Sequence, residues 1–292
     1  MYELIQVGEK SYYIDCPAKI GIYAQSGKEV YLIDSGNDKE TAKKALKIIA
    51  EKNWAVKGIL NTHSHADHTG GNAYIQSKTG CPVFCNGIEA DFTRHPILEP
   101  ALIYGGYPCK PLRNKFLMAK KSVVTDFSSP EFPHEVEVIP LPGHFFDMAG
   151  FRTPDNTVFL ADCICSAEVL EKYGIPFIYD VEKYLATLEM LPSIQAEVFV
   201  PSHIDPCKDI SKLAEINRDK VFEIERLIKD ICSTPVTTDE IITALFRHYG
   251  LTMTLSQYAL VGFTIRSFLS WLCDKGDISY FAEDAKLLWK IK

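Results

Sequence analysis

The chain has 292 residues, 47% hydrophobic and 24% charged, and a formal net charge of −7. That length supports one large core, or a core with a small appended domain, and the balance excludes a disordered or fibrous protein. The negative charge excludes a general attraction to nucleic acid or an anionic membrane, and no apolar run reaches the roughly 20 residues of a membrane helix.

Met1–Asp15 has no basic stretch followed by an apolar one, so the expected address is cytoplasmic. Tyr2–Val7, Ser11–Asp15, Ile20–Gln25 and Glu29–Ile33 read as short strands, broken at Gly8-Glu9 and Ser26-Gly27. A helix follows over 39–52, with Ala42, Ala45, Leu46 and Ile49 on one face and Asn37 or Asp38 as its N-cap. Val56–Leu60 is a buried strand running into Asn61-Thr62-His63. A helix over 72–78 and a strand over 81–86 come next. From 95 to 121 the pattern loosens into an irregular, lid-like segment that mixes Tyr104, Tyr107, Arg113, Lys115, Lys120 and Lys121. Strands resume at Val136–Leu141, then a hairpin turns at Pro154-Asp155-Asn156. A helix over 181–191, capped by Asp180, and a strand over 197–200 close the unit.

Beyond residue 206 the composition becomes helical. Val221, Ile224, Ile228 and Ile231 line one face of a long helix. Thr237…Glu240 and Thr254…Gln257 both match the capping box, and 277–291 reads as a two-stranded ribbon turning at Glu283-Asp284. The division expected is therefore 1–206 and 207–292.

Nine cysteines without an export signal are expected to be reduced thiols, most of them small buried hydrophobes; Cys163 and Cys165 stand apart because they follow Asp162. His63-Ser64-His65-Ala66-Asp67-His68 packs four metal-ligand side chains into six residues directly after a strand. On an extended or turning backbone, residues 63 and 65 point one way while 67 and 68 diverge toward a second position. Imidazole and carboxylate together suit a borderline ion such as zinc. His144, Asp162 and His203 each end a predicted strand, where loops gather on a rigid scaffold. Five of the eight histidines fall in this set. His95, His134 and His248 lie outside it and read as surface or structural residues.

The run His63–His68 followed by His144, Asp162 and His203 resembles the five-motif pattern of the metallo-β-lactamase superfamily, over residues 1–206. The resemblance implies an α/β fold, an αββα sandwich, with a metal site at one sheet edge. Residues 207–292 resemble the winged-helix-like tail of some members. Carried over, His63, His65 and His144 would hold a first metal, and Asp67, His68 and His203 a second, with Asp162 bridging. The implied cofactor is two divalent ions, zinc ahead of iron or manganese, with a hydroxide between them that Asp67 orients as the catalytic residue. β-Lactamases of one class place Cys where Asp162 stands, and flavodiiron proteins place Glu where His65 stands. Seven ligands with an aspartate bridge look instead like the glyoxalase II, lactonase and ribonuclease Z branches.

The leading expectation is a dinuclear hydrolase of a small ester, thioester or lactone. A nuclease or phosphodiesterase is the alternative, and the acidic charge and the single Arg266 on the long helix argue against it. A mononuclear-iron, persulfide-dioxygenase-like oxidoreductase is a third reading, opposed by the full ligand set. The expected partner is a small molecule, anionic if Arg113 and Lys115 contact it, with Tyr104, Tyr107 and Tyr179 shaping the pocket. Neither a membrane nor a nucleic acid is expected, and the C-terminal helices are expected to serve packing or homodimerisation.

Overall fold

The computed structural model describes residues 2–292. Strands β1 (Glu3–Gln6), β2 (Ser11–Asp15), β3 (Ile20–Ser26) and β4 (Glu29–Ile33) pair antiparallel in chain order. Helix α1 (Lys39–Glu51) carries the chain back, so β5 (Ala55–Leu60) adds parallel to β4. The short α2 (Ala66–Thr69) and α3 (Asn72–Thr79) lead to β6 (Val83–Phe84), which completes a six-stranded sheet. Asp38 starts α1: its backbone is extended and its carboxylate accepts the N–H groups of Glu40 and Thr41. The buried face of α1 is Thr41, Ala42, Ala45 and Ile49, at helical spacing.

After α4 (Gly87–Arg94) and α5 (Leu98–Tyr104), a second sheet forms from β7 (Glu137–Pro140), β8 (Ala149–Arg152), β9 (Thr157–Ala161) and β10 (Val198–Pro201). Its order is β10-β9-β8-β7, with only the β9–β10 pair parallel. Alternation along the strands divides the side chains between two layers. Tyr13, Tyr23, Tyr31, Phe84, Phe151 and Phe159 fill the space between the sheets. Ile14, Ile22, Val30 and Leu32 pack outward with Ala42, Ala45 and Ile49 of α1.

The outer face of the second sheet is covered by α7 (Val181–Met190) and α8 (Ser211–Ile231), followed by α9 (Thr238–His248) and α10 (Leu255–Asp274). One buried cluster runs from Ile139 and Leu160 through Tyr184, Val221 and Ile265 to Phe268. The C-terminal helices therefore share a core with the second sheet. The ribbon of β11 (Ile278–Glu283) and β12 (Lys286–Ile291) closes the chain.

Several elements differ from expectation. The strand expected at 81–86 shrinks to two residues, because Pro82 has no N–H for a ladder. The segment 95–121 is partly regular: α5 occupies its first half and a 3-10 turn spans Lys110–Leu112. Helix α6 (Ala167–Tyr173), capped by Ser166, was not expected. At Thr237 both bonds of the capping box form, whereas at Thr254 the bond from the Gln257 N–H is the one present. The ribbon turns one residue late, at Asp284-Ala285, both with positive φ (46° and 59°). All nine cysteines are free. No helix among the described residues is long and apolar enough to cross a membrane.

Candidate metal centre

Four strand ends build the site. Beyond β5 the chain delivers His63 and His65, then α2 carries Asp67 and His68; β7, β9 and β10 lead to His144, Asp162 and His203. Two backbone features aim these groups. Gly143 has φ +119°, and a Cβ there would run into the backbone of Tyr184, so only glycine lets the loop turn before His144. Ala161 has φ +51° and sits where the β9–β10 register shifts, which turns Asp162 away from the strand line.

The seven side chains converge in two groups. Donor atoms of His63, His65 and His144 lie within 4.8 Å of one another, and so do those of Asp67, His68, Asp162 and His203. Asp162 spans the two: one oxygen is 3.3 Å from His68 Nε2, while the other is 3.3 Å from His203 Nε2 and 3.9 Å from His144 Nε2. Asp67 Oδ2 lies 3.4 Å from His203 Nε2 and 3.7 Å from His68 Nε2. Within the first group, His144 Nε2 faces His65 Nδ1 at 3.2 Å.

The outer nitrogens of four rings are already engaged, which fixes the nitrogen that faces inward. His68 Nδ1 meets Asp34 Oδ2 at 2.7 Å and His63 Nδ1 meets Thr62 Oγ1 at 3.0 Å, while the Thr62 hydroxyl donates to the same Asp34 oxygen. His144 Nδ1 lies 3.0 Å from the Phe177 carbonyl and His203 Nδ1 2.7 Å from that of Pro17. Inside the cluster, His63 Nε2, His68 Nε2 and Asp162 Oδ1 are buried without a hydrogen-bond partner among the described residues. Orphaned lone pairs of this kind are costly unless a further group satisfies them.

Electrostatics point the same way. The Asp162 carboxylate raises His203 to about 10. Burial opposes charge on His68, yet Asp162, Asp67 and Asp34 together hold it well above the ordinary range. Burial instead drives His63 far down, keeping it neutral. A neutral His63 offers a lone pair, the Asp67 and Asp162 carboxylates that draw protons onto His68 and His203 would equally favour a bound cation in their place, and the donor set of imidazole and carboxylate suits a divalent ion. The residues present fit a metal centre.

A family model described as "Metallo-beta-lactamase superfamily" matches residues 15–203. The chain belongs to the metallo-β-lactamase superfamily. Among curated members, the hydroxyacylglutathione hydrolase of Rhodospirillum rubrum is 37% identical over 68 residues, 23% of this chain and 26% of that protein. That of Pelagibacter ubique is 40% identical over 62 residues, 21% and 25% of the two chains. The matched stretch thus spans about a quarter of the length of these relatives. A metallo-β-lactamase family protein from Thermus thermophilus superposes with a TM-score of 0.70 at 18% identity, covering 100% of this chain and 98% of that one. A β-lactamase domain protein from Burkholderia ambifaria gives 0.75 at 13% identity over 99% and 94% of the two chains. Both share the fold, and their coverage includes the C-terminal helices.

Around this superfamily site, the other expected residues are dispersed. Tyr179 stacks on Phe146 (3.9 Å between centroids) and lies 6.1 Å from Phe263 of α10; Phe177 links that stack to His65. Tyr179 and Phe263 wall a groove of about 680 Å³ that Arg266, Ser267 and Trp271 also line. Tyr104 and Tyr107 are exposed, and Tyr107 Oη accepts a bond from Arg113 at 3.0 Å. Lys115 pairs with Asp38 at 2.8 Å, which ties the 95–121 segment to the start of α1. Burial pushes the Cys165 thiol up to about 12 and keeps Cys163 protonated too, so neither supplies a thiolate.

Sequence reasoning missed the residues that brace the ligands. Asp34 serves two ligand rings, as above. Glu89, almost fully buried on α4, accepts the N–H and hydroxyl of Ser64 and the N–H of Asp147, joining the loop of His63 and His65 to that of His144. Burial raises its carboxyl to about 7 against those donors. Neither residue lies in a local ligand run, so no spacing signal marks it.

Proposed function

We propose that this chain is a metal-dependent hydrolase with two divalent ions, cleaving a small ester, thioester or lactone. One observation carries the reading: seven ligand-type side chains meet in two adjoining groups, with Asp162 facing both. Ions held by His63, His65 and His144 and by Asp67, His68 and His203 would supply a water ionised near pH 7 and polarise a carbonyl. The local similarity to hydroxyacylglutathione hydrolases favours the thioester within that class.

The protein's own groups then have distinct tasks. Asp67, 39% exposed where His68 is fully buried, is placed to orient an incoming water while its Oδ2 stays between His203 and His68. Asp34, Thr62 and the carbonyls of Phe177 and Pro17 keep four rings in fixed tautomers, so little reorganisation accompanies reaction. Tyr179 and Phe263 provide an apolar wall, and Arg266 an anion contact, for the part of the substrate that does not react.

The test is zinc-reconstituted protein assayed against thioesters, lactones and phosphodiesters in isotope-labelled water. A hydrolase places one solvent oxygen in the acid product. Asp67→Asn should lower kcat more than it raises KM. Turnover that consumes molecular oxygen, or is confined to phosphodiesters, would overturn the reading.

A further inference from the structure

His65 differs from the other four rings. Its Nδ1, not Nε2, faces the cluster, 3.2 Å from His144 Nε2. A neutral imidazole has one N–H, so a ring that offers Nδ1 as its lone pair carries the proton on Nε2. That nitrogen is buried and has no hydrogen-bond partner among the described residues. The four other rings each have an acceptor behind them, as described above. For His65 the group in the corresponding place is Glu99, whose Oε1 lies 4.0 Å from Nε2. Glu99 is 7% exposed, a rare setting for a carboxylate without a task. The gap is longer than a hydrogen bond, but the terminal torsion of a glutamate is soft and can close it.

Glu99 stands in the first turn of α5, within the segment whose sequence reads as a lid. That helix is seated on the C-terminal region: Ile103 and Leu112 pack with Ala259 and Phe263 of α10. Resting on the metal-centre reading, we propose that Glu99 is a positioning residue for the first metal position: it accepts the Nε2–H of His65 and so makes that ligand depend on the seat of α5 against α10. The 95–121 segment then serves the metal centre directly, besides any contact with substrate.

The experiment reads metal binding and ring state, so it does not depend on finding the substrate. Zinc affinity is measured by chelator competition for the parent, Glu99→Leu, which keeps bulk and removes the acceptor, and Glu99→Gln, which retains one. The tighter or looser of two zinc equivalents should weaken about 10–100-fold in Glu99→Leu, with the other unchanged and Glu99→Gln largely restored. Nitrogen-15 histidine spectra of the zinc-loaded parent should show the His65 proton on Nε2, a readout that stands even if Glu99→Leu fails to fold. Parental zinc affinities in Glu99→Leu would overturn the proposal while leaving the metal centre intact; a His65 proton on Nδ1 would take His65 out of the ligand set and overturn the proposal together with that part of the metal-centre reading. Failure of the parent to bind zinc would overturn both.

Discussion

At the scale of single residues, the centre depends on carboxylates that do different work. Asp162 joins the two ligand groups, so Asp162→Ala should reduce zinc stoichiometry from two equivalents to one by elemental analysis; an unchanged value of one in both proteins would contradict the bridging role. Asp34 is buried and receives the Thr62 N–H, the Thr62 hydroxyl and His68 Nδ1. Asp34→Ala strands all three, and should cost about 3 kcal/mol of stability by denaturant unfolding, the scale for removing one partner of a buried polar pair. The ligand-type side chains stood out in sequence because they cluster in one run or end a strand. Asp34, Glu89 and Glu99 did not, since each faces a partner 25 or more residues away that only the fold brings near.

At the scale of elements, legibility followed length and periodicity. The 13 residues of α1 and the 21 of α8 repeat their apolar positions for several turns, and their sequences announce them. Helices α5 and α6 have seven residues each, too few for a period to show, and Pro96 and Pro100 further disguise α5. Caps are more local and read better. Thr237 exchanges two bonds with Glu240, so Thr237→Ala should destabilise by about 1 kcal/mol in thermal unfolding. Lys115 offers a contrast between roles. If its pairing with Asp38 is its whole task, Lys115→Ala changes stability by under about 1 kcal/mol and leaves KM unaltered. A raised KM would instead assign it to the substrate.

For the whole molecule, the C-terminal helices are part of the scaffold. Asn217 of α8 holds the backbone N–H and carbonyl of Cys165, bracing the loop that follows Asp162, and its neighbour Val221 belongs to the core of the second sheet. A chain ended at residue 206 should therefore fail to give a cooperative unfolding transition by calorimetry, because the outer face of that sheet would be bare. Metal should act across the same body. Zinc at 100 times its Kd contributes about 2.7 kcal/mol per site, so chelation should lower Tm by an amount that tracks free zinc concentration. A change of composition near 206 was legible. That the two parts share one core was not, because apolar faces in a sequence do not name their partners.

The left-handed Ala161 sets stability against the aim of its neighbour. An alanine at φ +51° costs roughly 1–2 kcal/mol that a glycine would not incur, partly offset by glycine's greater freedom when unfolded. Ala161→Gly should accordingly raise stability by about 0.5–1 kcal/mol while loosening the aim of Asp162, seen as lower kcat in a protein that melts later. Stability and the aim of Asp162 therefore pull this position in opposite directions.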